Sequence, residues 1–221
     1  MRKISAMLCI LISSTAFADE RKNNADNFKG LNLGVGLSLV KFNSDYFDQG
    51  GSQNNNRFDT TNTIPRFDGS YMFELNDKWL LGLGLSLDLM TYNGDKRSIS
   101  YSYSVPGEIH IRTKNHYSVY LEPTYAVNDS LGVFSKLGYH SFKITDVWNC
   151  PSSGCVNDIR RLDGLGLGLG IKKMIDENIY VQLEGEYVKY SSTNDSRTGY
   201  TPWGYHNNYS YSGTASAGYH F

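Results

Sequence analysis

The sequence predicts an all-β protein, eight antiparallel strands closing up-and-down into a transmembrane β-barrel. Three observations predict it. Apolar residues recur at every second position over strand-length windows, glycine, serine or charged residues fill the places between, and the connections alternate between short turns and long polar segments. Period two puts successive side chains on opposite faces of a strand. A helix would scatter these residues around its circumference, and glycine at such density would cost it about 1 kcal/mol each.

The first 18 residues stand apart from this pattern. Arg2 and Lys3 precede a short apolar run, Ile4 to Ser14, and Ala16-Phe17-Ala18 supplies the small-x-small pattern of a cleavage site. This reads as an export signal over 1–18, with Cys9 leaving as part of it. Residues 19–29 form a short polar N-terminal segment, and the barrel domain runs over 30–221.

The strands follow in order. Leu31, Leu33, Val35, Leu37 and Leu39 share one face, with Asn32, Gly34, Gly36 and Ser38 on the other. The second strand sets Phe67, Gly69, Tyr71 and Phe73 against Arg66, Asp68, Ser70, Met72 and Glu74. The third, "WLLGLGLSLDLM" from Trp79, gives leucine at nearly every other place; Trp79 to Leu89 is long enough for a tilted strand to cross the hydrocarbon. Four more follow at Tyr117–Ala126, Leu131–His140, Leu165–Lys172 and Ile179–Val188, and the last runs from Tyr209 to Phe221. Short turns rich in Asn and Asp occur at 75–78, 127–130 and 174–178. Long connections occur at about 44–63, 91–115, 142–161 and 190–206. Short turns at one end and long loops at the other are the topology of an outer-membrane barrel.

The direction of the faces follows from charge. The positions opposite the leucines hold Arg66, Asp68, Glu74, Asp88, Glu122, Lys136, Glu184 and Glu186. A soluble core cannot take that many charges without heavy desolvation cost, whereas a membrane barrel has a polar interior. The leucines therefore face lipid. Aromatic residues at strand ends, Trp79, Tyr125, Tyr139, Tyr187, Tyr219 and Phe221, suit the two interfacial girdles.

Composition closes off other classes. With 21 basic and 22 acidic residues and a formal net charge of -1, no basic field argues for nucleic acid. No apolar run is long enough for a membrane-spanning helix, and mean hydropathy is negative, at -0.42. Cys150 and Cys155, in "CPSSGC", read as a disulfide in an oxidising compartment. A metal site is the weaker reading, since two thiolates fall short of four ligands. The chain carries no cofactor motif.

The final stretch, "YSYSGTASAGYHF", ends on an aromatic residue with Tyr219 two places earlier. It resembles the terminal signal of bacterial outer-membrane barrels, and residues 30–221 resemble the small eight-stranded barrels of the OmpA/OmpX type and the opacity-type surface antigens. The resemblance implies residence in the outer membrane of a Gram-negative bacterium, among outer-membrane lipid and lipopolysaccharide. It also implies that the barrel-assembly machinery reads Tyr219 and Phe221.

An eight-stranded barrel is just wide enough to be filled by side chains. The inner charges then read as a structural network rather than an ion or proton path, with Glu122 and Lys136 facing each other across a short turn. The sequence "HYS" at His116–Ser118 resembles the His-x-Ser of eight-stranded lipid A deacylases, with Glu122 or Glu108 to complete a triad. The resemblance is broken where that family's asparagine is Val119, and strand parity turns both side chains inward. The function expected is structural or adhesin-like, through loops that carry Asp95, Lys96, Arg97, Glu108, Arg112, Lys114, Tyr200, Trp203 and Tyr205. Such loops suit host protein, glycan or lipopolysaccharide, or serve only to shield the barrel.

Overall fold

The structure, a computed structural model, describes residues 24–48, 56–100, 106–149, 158–195 and 203–221. The expected export signal over 1–18, Cys150, Cys155 and Tyr200 lie outside these residues. Eight strands make the wall: β1 (Gly30–Asp48), β2 (Asn56–Glu74), β3 (Trp79–Asp88), β5 (Pro106–Ala126), β6 (Leu131–Asn149), β7 (Asp158–Met174), β8 (Ile179–Tyr190) and β10 (Trp203–His220). Each pairs antiparallel with its neighbour, and β1 pairs with β10 from Asn32↔His220 to Asp48↔Trp203, which closes the barrel. Two short strands sit above the rim: β4 (Tyr92–Ser100) pairs with β5 and β9 (Thr193–Asp195) with β10.

The strands run well past the segments that alternate. Much of 44–63, 106–115, 142–149, 158–161 and 203–206, expected as loop, is paired sheet. Beyond the bilayer the outer face meets water, so the apolar half of the alternation fades while the backbone ladder, which needs no apolar side chain, continues.

The lipid-facing set is as the alternation predicts. Val35, Leu37, Leu39, Leu83, Leu137, Leu165, Leu167 and Leu169 all point out of the barrel, and Leu165 is 66% exposed to what is membrane in the cell. Aromatic pairs mark the periplasmic edge, Trp79 with Tyr125 at 5.1 Å and Tyr219 with Phe221 at 4.6 Å. Tyr187, Tyr209 and Tyr211 cluster at the opposite edge.

The small inward residues have a packing cause. A Cβ at Gly84 would overlap the Tyr120 ring, one at Gly170 the Phe134 ring, one at Gly34 or Gly218 the Tyr180 ring, and one at Gly166 the His140 ring. The glycines are the berths in which four large inward side chains lie. Gly185 and Gly213, on the outer face, meet nothing within 4 Å.

Two apolar layers fill the lumen ends. Phe42, Phe142, Ile144, Leu162, Val188 and Tyr190 pack on the extracellular side, with Phe142 edge-on to both Phe42 and Tyr190. At the periplasmic mouth the described part of the segment expected only as a polar lead-in, 24–29, folds into the floor. A short 3₁₀ helix (Asp26–Phe28) inserts Ala25 and Phe28 among Met72, Leu80, Ala126, Met174 and Tyr180. Asn27 ties it to the Asp129 carbonyl at 2.8 Å, and Lys29 pairs with Glu74 at 3.2 Å. Gly30, at φ +127°, turns the chain from plug to strand, where a Cβ would sit 2.5 Å from the Phe221 carbonyl oxygen. Only glycine takes both the angle and the approach.

Candidate functional site

Between the two apolar layers lies a charged interior in two tiers. Strand parity supplies it, since every inward position near the middle of β2, β3, β5, β6, β7 and β8 that is not a glycine berth is polar or aromatic.

The lower tier is built on two lysines. Lys172 Nζ lies 3.0 Å from Glu122 Oε1, with both side chains almost fully enclosed. Lys136 Nζ lies 2.8 Å from Glu184, 3.2 Å from Asp68 and 3.8 Å from Glu122. The Tyr120 hydroxyl donates to Asp68 at 2.6 Å, and its ring lies 4.1 Å below the Lys136 ammonium. Lysine stems and aromatic faces thus share the volume that the glycines leave open. Glu122 and Lys136 come within ion-pair reach, but both make closer partners: Lys172 for the first, Glu184 for the second. The spacing across the turn could suggest the first contact. It could not suggest the others, because they cross the lumen.

The upper tier is a closed circuit. Arg66 Nε donates to Asp88 Oδ1 at 2.9 Å, and the other Asp88 oxygen lies 2.7 Å from His116 Nδ1. His116 Nε2 meets His140 Nδ1 at 3.3 Å, with the two rings stacked 5.4 Å apart. His140 Nε2 is 3.1 Å from Glu186 Oε1, out of line for a hydrogen bond but within ion-pair range. Glu186 Oε2 returns to Arg66 at 3.6 Å. Five groups on five strands complete the ring. His140 was not among the expected site residues; its one sequence signal is that it shares the inward parity of Lys136.

His116 and Ser118 do not form a catalytic pair in this arrangement. The Ser118 hydroxyl shares a 2.7 Å hydrogen bond with Ser86, and His116 gives one ring nitrogen to Asp88 and the other to His140. Both are buried beneath the Phe142 layer. Nucleophilic catalysis needs the base within hydrogen-bond reach of the hydroxyl, and here His116 faces elsewhere. Among the described residues no cluster of His, Cys, Asp and Glu has the form of a metal site.

Tyr219 and Phe221 point outward at the periplasmic edge, half exposed to the membrane. Of the expected loop residues, Asp95, Lys96 and Arg97 fall on β4, Glu108, Arg112 and Lys114 on β5, and Trp203 and Tyr205 on β10.

The barrel has solved counterparts. The outer membrane protein OprG of Pseudomonas aeruginosa superposes with a TM-score of 0.53 at 18% identity, over 87% of this chain and 96% of that one. The attachment invasion locus protein Ail of Yersinia pestis gives 0.48 at 18% identity, over 87% and 99%. At such identity the likeness is one of fold alone. No curated protein sequence matches the chain. The family model described as the outer membrane protein beta-barrel domain matches residues 4–221, and with the closed, inwardly charged, outwardly apolar barrel this places the chain in the Gram-negative outer membrane as a member of that family.

Proposed function

We propose that the protein is a closed, non-conducting barrel that acts at the cell surface through the sheet and loops it raises above the outer leaflet, and that it is not an enzyme. The observation that carries this reading is the seal. A charged middle is bounded outside by Phe42, Phe142, Ile144, Leu162, Val188 and Tyr190, and on the periplasmic side by Phe28, Met72, Leu80, Met174 and Tyr180. Apart from the Tyr180 and Tyr190 hydroxyls these side chains offer water no polar partner, which supports a lumen without a continuous hydrated path. What is left to meet the surroundings is the extracellular extension of the strands and the loops they carry.

The inward burial of His116 and Ser118 and their separate partners support the non-enzymatic half of the proposal. The test has two arms. The full chain reconstituted in planar bilayers shows no stable pore, and porin-sized, long-lived conductance would overturn the closed reading. Cells carrying a form with 91–105 and 191–202 replaced by brief Gly/Ser turns lose adhesion to host cells or serum factors at equal surface amount. Equal adhesion would mean that the loops do not carry the function.

A further inference from the structure

The outer wall of β5–β7 carries a row of cations that the closed, loop-presenting reading does not use. Lys114 on β5 faces Lys143 on β6, and Lys143 faces Arg161 on β7, each directly across the ladder. All three are exposed, as is Arg112 two places above Lys114. Like charges directly opposed across strands destabilise a sheet. Among the described residues no ion pair reaches Lys114, Lys143 or Arg112, and the row's one carboxylate is Asp163, 2.9 Å from Arg161. On the far side of the barrel Lys41 is neutralised by Asp59 at 3.0 Å.

A backbone irregularity makes this row. On β5 the residues inside the lumen, His116, Ser118, Tyr120 and Glu122, are the even-numbered ones. An unbroken strand would therefore point Lys114 and Arg112 inward. A β-bulge between Lys114 and Tyr117, with Asn115 at φ 55°, reverses the parity, so that Thr113 turns in and the two cations turn out. Bulges re-aim side chains in this way.

The height of the row identifies what it meets. Outward positions of β7 are uncharged from Ile171 to Leu165, bounded by Lys173 below and Asp163 above. Those ten residue steps rise about 34 Å along the strand and about 25 Å along the membrane normal at the usual tilt, the height of the apolar band. The row begins at the next step, in the outer headgroup layer. Arg161 reaches back toward the bilayer to the Tyr117 hydroxyl at 2.7 Å and lies over Ser141 at 2.8 Å, and Ile159, 64% exposed, stands above it. A soluble polyanion would have to enter the headgroups to touch these groups, whereas the phosphates of the outer-leaflet glycolipid already lie there.

We propose that Lys114, Lys143 and Arg161, with Arg112 above them, form a binding site for the phosphate groups of lipopolysaccharide on the outer wall of β5–β7. The site is independent of what the loops bind. The test uses the full chain in phosphatidylcholine nanodiscs, titrated with Kdo2-lipid A, with its dephosphorylated form, with phosphatidylglycerol and with inorganic phosphate. The phosphorylated glycolipid binds, the dephosphorylated form binds weakly, and millimolar phosphate does not displace it. K114Q/K143Q, which removes two groups without a partner, weakens binding about thirtyfold, the weight of two interfacial cations, while K41Q on the far side leaves it unchanged. Equal binding of the two lipid A forms by the unaltered protein overturns the proposal without reference to any variant. So does equal affinity of K114Q/K143Q and the unaltered chain, equal uptake of phosphatidylglycerol, or displacement by a sulfated oligosaccharide or by free phosphate.

Discussion

Replacing Glu122 by Gln tests how the lower tier is wired. Glu122 and Lys172 are 1% and 2% exposed and 3.0 Å apart, and Glu122 supplies the ion-pair partner of Lys172 among the described residues. Lys136, by contrast, keeps Glu184 at 2.8 Å and Asp68 at 3.2 Å when Glu122 loses its charge. Breaking a buried pair by removing one partner costs about 3 to 5 kcal/mol, because it strands the other charge. Glutamine retains an oxygen that can accept from the ammonium, which puts Glu122→Gln at the lower end, about 3 kcal/mol. Lys172→Met in the same chain removes the stranded cation and returns most of that loss, whereas Lys136→Met adds to it by freeing Glu184 and Asp68. The measurement is a pair of double-mutant cycles, with stability read from urea unfolding in phospholipid vesicles by tryptophan fluorescence. The structure requires a coupling of about 2 kcal/mol or more between 122 and 172, larger than that between 122 and 136. Strict additivity at 122/172, or the reverse order of the two couplings, would refute this wiring.

Other outcomes follow from the packing. Gly84→Ala, which drives a methyl group into the Tyr120 ring, should cost about 1–3 kcal/mol as overpacking, while Gly185→Ala, with open space around it, should stay within about 0.5 kcal/mol; the same urea titration distinguishes them. Phe28→Ala should cost about 3 kcal/mol by emptying the periplasmic floor, and unchanged stability would show that the plug is not seated. His116→Ala and Ser118→Ala should leave the acylation of lipid A unaltered in cells carrying the protein, as judged by mass spectrometry of the extracted lipid. Unboiled protein should migrate differently from boiled protein in gels, and trimming the loops should preserve that shift because loop length enters stability only weakly.

The wall was legible in the sequence because lipid imposes it residue by residue. With the exception of Ser135, each outward place at mid-membrane is apolar or glycine, and each inward place is polar, aromatic, or a glycine that admits a neighbour's ring. The reach of the strands was not legible, since a ladder whose outer face meets water loses the outward apolar residues that mark it. Nor was the bulge at Asn115, a single left-handed residue that inverts the parity of Lys114 and Arg112 with no change in composition. Within the site, Glu122 and Lys136 could be matched because they lie on adjacent strands. The closer contact with Lys172 depends on lumen width and on which long side chain crosses it, quantities that strand order alone does not contain. The fate of Ala25 and Phe28 was hidden for a related reason, because two small apolar patches in a polar segment gain meaning only when the barrel mouth that receives them exists.

The closed circuit of Arg66, Asp88, His116, His140 and Glu186 bears on how the barrel is made. Arg66 belongs to β2 and Glu186 to β8, and the strands between them are β1 and β10, the pair whose zippering ends assembly. Lys136 of β6 joins Asp68 of β2 to Glu184 of β8, and so links side chains on the two flanks of the same seam. Before β1 meets β10, an open sheet holds Glu186 near one end and Arg66 near the other, so Arg66 keeps Asp88 on the adjacent strand but lacks Glu186, and Asp68 lacks Lys136. Joining the seam satisfies the backbone edges and the ionic partners in one event. Half-zippered forms are therefore penalised twice, and insertion should proceed as a single cooperative step, with the charged lumen acting as a latch that cannot fasten until the last strand arrives.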